Sequence, residues 1–330
     1  MKDLVGFGKY VELRDKVSEQ PRFVIENGGS FIRAADERLA PRLLAVIGSA
    51  FRKLLKLDEA GYCFRGAETL AAKNQDDWAL ADTWQRMAFV YYDCGEVAIS
   101  LKLAENAAIT FNRLQDRAGL GRATLDQGIW QGHLGHYEYS KQLFEASLEL
   151  LPPSEQVNRV SAVINLTSLA DRMGDHSEML IRARQIRQMR DIPLVIRGSA
   201  HEVLGRVASR KREWNLALRH FKAAQRLFSH GSFSFEEATL MVVLCRALLE
   251  AGRISEIPAY VERAKVLTKS VRNKFIASVL WDLAVTQARG EEISLNLLAG
   301  LHEQLSQEIS RSAQRSPVSL PASLRTRSTG

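Results

Sequence analysis

Residues 128–147 read GIWQGHLGHYEYSKQLFEAS. Apolar residues recur three and four apart up to Gly135 and again from Tyr137, the pattern of two helices joined by a short turn. Gly135 sits where a helix commonly ends in the left-handed conformation. Gly128, Ser140, Phe144 and Ser147 mark the rest of the unit: a small residue in the first helix, then small and large apolar positions in the second.

These positions recur along the chain. Gly95, Gly135, Gly174, Gly252 and Gly290 each follow an apolar stretch, and the one missing step falls at Lys211-Arg212-Glu213-Trp214. A first-helix column of small residues runs Gly48, Ala88, Gly128, Thr167, Gly205 and Cys245, at steps of 38 to 40. Twelve residues on come Ala60, Ser100, Ser140, Met179, Ala217 and Ile257. Second-helix columns follow with Phe64, Ala104, Phe144, Ala183, Phe221 and Val261, then Ala67, Ala107, Ser147, Ile186, Ala224 and Ala264. Small residues let helices approach closely, and the recurring Phe can fill the groove between neighbouring hairpins. Pro152, Pro153 and Pro193 fall between units, Pro41 can open the first, and Pro258 fits the first turn of a helix with Ser255 as its cap. Period-two alternation is nowhere strong, so an all-α chain is expected.

The pattern resembles the tetratricopeptide repeat (TPR) family. The resemblance is carried by Leu44, Ile47, Gly48, Phe51, Ala60, Phe64 and Ala67 in the first unit, by Trp84, Tyr91 and Gly95, and by Gly128, Gly135, Tyr137, Phe144 and Pro152. Asn165, Leu166, Gly174 and Asp175 continue it, then Leu204, Gly205, Ala217, Phe221 and Ala224. It spans Pro41 to Gln307 and departs from the family in its longer period, the usual repeat being about 34 residues. It implies a right-handed superhelical solenoid of six to seven antiparallel helix hairpins. The units fall at 41–75, 78–116, 117–154, 156–192, 194–230, 235–270 and a degenerate 272–307. Residues 1–40 are expected to form a capping helix or arm, broken at Pro21 and Asn27-Gly28-Gly29-Ser30. Residues 308–330, rich in Ser, Arg and Pro, are expected to be a disordered tail.

The chain has 45 Lys plus Arg against 38 Asp plus Glu, a net charge of +7. The surplus is local. Twelve basic residues lie between Arg182 and Arg226 against Asp191, Glu202 and Glu213, and Arg311, Arg315, Arg325 and Arg327 lie in the tail. Such a belt reads first as a solvated arginine-rich surface and second as a face for an anion. Cys63, Cys94 and Cys245 are too few and too scattered for a disulfide framework or zinc site and read as reduced, buried small residues. No apolar run approaches the roughly 18 residues of a membrane span, and no secretory signal is evident, so a cytoplasmic location is expected.

Phosphate loops, a nucleophile elbow and a His-Glu-x-x-His helix are all missing from the sequence, and His133 with His136 lack further metal ligands. No catalytic site, cofactor or metal is expected. In the TPR family the first helices line a concave groove. That places Arg86, Phe89, Tyr92, Asp126, Asn165, Arg172, Arg206, Arg210 and Arg246 on its wall. Aromatics could anchor apolar side chains, the amide could grip peptide backbone, and guanidinium groups could meet carboxylates. The lysine-and-asparagine clamp the family uses for chaperone tails is matched only by Asn165. The expected function is a non-catalytic scaffold or regulatory adaptor whose partner is a protein or peptide, acidic or mixed in charge. The alternative is a helical-repeat RNA binder using the basic belt 182–226; a membrane partner is not expected.

Overall fold

A computed structural model describes residues 2–17, 20–34, 37–54, 56–188, 192–231 and 233–268. Among them every regular element is helical. α1 (Lys2–Lys16) and α2 (Pro21–Ala34) precede six hairpins: α3 (Ala40–Lys53) with α4 (Leu57–Lys73), α5 (Asp77–Asp93) with α6 (Val97–Arg113), and α7 (Arg117–His133) with α8 (Tyr137–Leu150). Then come α9 (Gln156–Met173) with α10 (His176–Gln188), α11 (Leu194–Arg210) with α12 (Trp214–His230), and α13 (Ser234–Glu250) with α14 (Ile257–Thr268). The protein is an all-α helical-repeat solenoid. The seventh unit and the tail lie outside the described residues.

Five of the six hairpin turns are built the same way. Gly95, Gly135, Gly174 and Gly252 take φ of +86°, +86°, +75° and +70°. At the missing step Arg212 takes φ of +59°, so the turn keeps its shape without glycine. The next amide then bonds back into the first helix, as Glu96 N–H does to Tyr91 O, His136 to Gln131 O and Glu213 to Ala208 O, closing a Schellman-type cap. Between units Asp76 and Asp116 cap the following helices by accepting from Ala79 N and Gly119 N.

Within a hairpin the two helices fit by size. Gly48 faces Phe64, Gly128 faces Phe144 and Gly205 faces Phe221; a Cβ at these glycines would stand 3.0, 2.6 and 2.5 Å from the ring. Where the second-helix residue is smaller the first-helix residue is larger: Ala88 goes with Ala104, Thr167 with Ala183, Cys245 with Val261, all buried. Ser100 and Ser140 donate from Oγ to Ala88 O and Gly128 O, at 2.8 and 2.7 Å, pinning second helix to first. Met179, Ile186 and Ile257, the large exceptions in the small-residue columns, are buried as well.

Consecutive first helices touch one another (α3 with α5, α5 with α7, α7 with α9, α9 with α11, α11 with α13). No two second helices make comparable contact among the described residues. First helices are therefore the more closely spaced layer and line the inside of a curve. The curve returns on itself: Lys53 at the end of α3 reaches Glu236 at the start of α13, Nζ to Oε1 3.4 Å.

Three sequence expectations change. α2 runs without a break through Asn27-Gly28-Gly29-Ser30; Gly28 is buried against Ile47, so its lost side chain serves close approach to α3 and not a turn. Ser255 lies in a 3-10 turn (Ile254–Glu256) ahead of α14 and caps nothing. Only Cys245 of the three cysteines is buried, with its thiol pushed up to about 12 by that burial, while Cys94 is exposed. α1 and α2 together, through Tyr10, Leu13, Val17 and Val24, cover Leu43, Val46 and Ile47 of α3.

Helix propensity alone would make Gly128→Ala stabilising by about 1 kcal/mol. Overpacking against Phe144 outweighs that gain, and a net loss of about 1–2 kcal/mol is expected in urea unfolding, relieved by Phe144→Leu in the same chain. Gly135→Ala, whose new Cβ meets nothing within 4 Å, should lose about 1 kcal/mol from its φ alone and gain nothing from Phe144→Leu.

Candidate functional site

The inner wall is held by polar contacts that step from one first helix to the next. Arg52 on α3 donates to Asp93 on α5 through Nε at 2.6 Å and Nη2 at 3.2 Å. Gln85 on α5 donates Nε2–H to Asp126 Oδ2 on α7 at 2.7 Å, and Tyr92 on α5 meets His133 Nε2 on α7 at 3.1 Å. Arg210 on α11 donates to Asp171 on α9 at 2.6 Å. A bidentate pair whose acid is only 5% exposed, as with Arg52 and Asp93, costs about 3–5 kcal/mol when one partner is removed.

These contacts change the meaning of the residues named from sequence. Arg86 chelates Asp82 of its own helix and donates to Ser49 on α3. Phe89 lies between the Arg52 guanidinium, 4.8 Å away, and the Trp130 ring at 5.0 Å; Tyr92 stacks on Trp130 at 4.7 Å. The two aromatics expected to anchor a ligand thus pack α5 onto α7. Arg206 pairs with Glu202 at 2.7 Å, Arg210 with Asp171, and Arg246, half exposed on α13, with Glu250 at 3.1 Å. Four of the five arginines expected to be available for carboxylates already hold one.

Two groups stay available. Asn165 donates Nδ2–H to Ser161 O at 2.9 Å, and its side-chain oxygen has no donor among the described residues. Arg172, in the last turn of α9, makes no hydrogen bond among the described residues, although the neighbouring Asp171 carboxylate favours its charge. It is exposed on the wall; partial loss of hydration, then the charge of Arg206, lower its pKa from the usual arginine value, against Tyr137, Tyr92 and Asp171. The structure therefore gathers Arg86, Phe89, Tyr92 and Asp126 on α5 and α7, and Arg172, Arg206 and Arg210 on α9 and α11.

Asp126 is the wall's titrating group. It is 5% exposed, and burial raises its pKa to about 7; the Gln85 amide, then Arg122, Arg52 and Arg86, pull the other way without restoring an ordinary value. Burial also raises Tyr92 above the ordinary phenol range, so its hydroxyl stays protonated. At Glu236 burial is overcome by Lys53 and Arg52, and its pKa falls.

Sequence reading missed Gln85, Arg52, Asp93 and Trp130. The repeat step itself was the signal: each inter-unit partner lies 39 to 41 residues from its mate. His133 and His136 do not form a pair, since His136 Nδ1 is 2.6 Å from Gln131 Oε1 while His133 packs against Tyr92. Among the described residues no three His, Cys, Asp or Glu side chains gather as a metal site would require. Arg184, Arg219, Lys222 and Arg226 of the basic belt are exposed on the second helices α10 and α12, away from the inner wall. No described helix is long and apolar enough to cross a membrane.

No family model matches the chain, and no curated protein does. Among solved structures, the crystal structure of a Rap protein complexed with competence and sporulation factor is similar to it. The match covers 94% of this chain and 89% of that one, with a TM-score of 0.67 and 11% sequence identity. The likeness is one of fold.

Because folded Asp126 keeps a proton that the unfolded chain releases near pH 4, its contribution to stability falls as pH rises from about 4 to about 7 and is flat above. Asp126→Asn should therefore unfold like the parent near pH 4 and be more stable at pH 8, by a few kcal/mol at most, in thermal unfolding followed across that range.

Proposed function

We propose that the protein is a non-catalytic TPR-type module that holds a peptide segment of a partner along the wall of its first helices, serving as a scaffold or regulatory adaptor. The observation that carries this reading is the curvature: first helices pack closer than second helices, which makes a continuous inner face from α3 to α13. A curved face of this kind suits an extended or helical segment, which it can contact from several units at once. The groups left unsatisfied on it, the Asn165 oxygen and the Arg172 guanidinium, are of the type that grips backbone and anionic groups. A protein of similar fold, in complex with competence and sporulation factor, supports the reading by showing that such an array can hold a second molecule.

Selection of short peptides from a random display library tests it. Saturable binders are expected, and Asn165→Ala should weaken them by about three- to tenfold with little change in Tm, since the one bond lost, to Ser161 O of the same helix, is offset by the better helix propensity of Ala. Failure to select any peptide, with retardation of single-stranded RNA that weakens steeply as salt rises, would replace this reading by the basic-belt alternative.

A further inference from the structure

Among the described second helices, α12 alone carries neither Asp nor Glu; α4, α6, α8, α10 and α14 each have at least one. Arg219, Lys222 and Arg226 stand exposed on α12, three and four residues apart and so on one face. Ala217, Phe221, Ala224 and Phe228 are buried on the opposite face, which packs into the hairpin. None of the three cations forms an ion pair among the described residues. The acids of the flanking helices are already taken, Glu178 by Arg182 and Glu202 by Arg206, each at 2.7 Å.

Such a row works against its own helix, because like charges three and four residues apart repel. Elsewhere the array answers exposed cations internally, as Glu105 does for Lys102 on α6 and Glu237 of α13 does for Arg263 on α14. On α12 the complementary charge has to come from outside.

Spacing selects its source. From Arg219 to Arg226 the row spans about 10 Å along the helix axis. A partner helix has the same rise and pitch, so carboxylates at i, i+4 and i+7 meet all three cations at once when it lies antiparallel along α12. Single-stranded RNA is held by stacking bases on aromatic rings, but Phe221 and Phe228 are buried and none of the exposed large apolar side chains lies on α12. The same lack leaves nothing to enter a lipid surface. Three cations are also few beside the roughly six to ten phosphate contacts of a duplex-binding protein.

We propose that the outer face of α12 docks an acidic helix of a folded partner protein, through Arg219, Lys222 and Arg226. This face belongs to the outer layer of helices, away from the groove, and stands whether or not a peptide fills the groove. Each exposed ion pair adds little, so the face steers and selects its partner more than it holds it.

The test uses the full chain and three stapled helical peptides, titrated by fluorescence anisotropy at low salt. The first has Glu at i, i+4 and i+7, the second has Gln at those positions, and the third has three Glu spread around the helix. The parent should bind the first about tenfold more tightly than the second and about threefold more tightly than the third, with both preferences fading as salt rises. The triple variant Arg219→Gln, Lys222→Gln, Arg226→Gln should bind all three alike, with a Tm no lower than the parent's. Arg219→Glu, Lys222→Glu and Arg226→Glu together should transfer the preference to a peptide with Lys at i, i+4 and i+7. The proposal is overturned if the parent binds none of the peptides, if it binds the first and third alike, or if the Gln variant keeps the preference. A fall in Tm of the Gln variant would make the row structural and overturn it too. RNA, or vesicles of phosphatidylserine and phosphatidylcholine, held more tightly than the first peptide by the parent and released by the Gln variant would make the face a phosphate surface instead. None of these outcomes bears on the groove, which Asn165→Ala tests separately.

Discussion

Everything in this protein depends on how closely the two helices of a hairpin can approach. A Phe from the second helix lies directly against the backbone of the first at Gly48, Gly128 and Gly205, with no room for one more carbon. Units that lack the Phe restore the volume on the other side, with Ala, Thr or Cys in place of Gly. Interiors packed at crystal-like density feel a single methylene, so the complementarity keeps six chemically different hairpins close to one shape. Units of one shape stack at one angle, and that regular stacking brings the first helices together into a curved inner wall.

On that wall the array spends its polar residues largely on itself. Pairs such as Arg52 with Asp93 and Arg210 with Asp171 tie one first helix to the next, and Lys53 with Glu236 ties the first unit to the sixth. A wall satisfied in this way is rigid and nearly neutral. Against it a few unsatisfied groups stand out, and these have the freedom to meet a ligand. The likeness to the Rap protein bound to competence and sporulation factor concerns the fold alone; the functional reading stands on the wall.

The six described hairpins, their turn positions and the buried columns were legible in the sequence, because each depends on spacing within about 40 residues and repeats six times. Even the unit without glycine was locatable, and Arg212 holds the left-handed turn there. The size match between columns was not legible column by column, since each alone is a mixture of Gly, Ala and larger residues; it exists only between positions that face each other. Asn27-Gly28-Gly29-Ser30 was misread for a related reason: glycine marks a turn or a close approach, and only the presence of Ile47 opposite Gly28 decides between them. Of the candidate site, the residues expected from sequence all lie on first helices, but most of the arginines meant for a ligand have their carboxylates already in the chain, either four residues away, as in Arg86 with Asp82, or one repeat away.

The central claim is that ligands meet the inner wall of first helices. A crystal structure of the full chain with a selected peptide bound tests it most directly. The account predicts density for the peptide along α5, α7, α9 and α11, with no contact to the outer faces of the second helices. Density on the convex side, against the exposed arginines of α10 and α12, would contradict it.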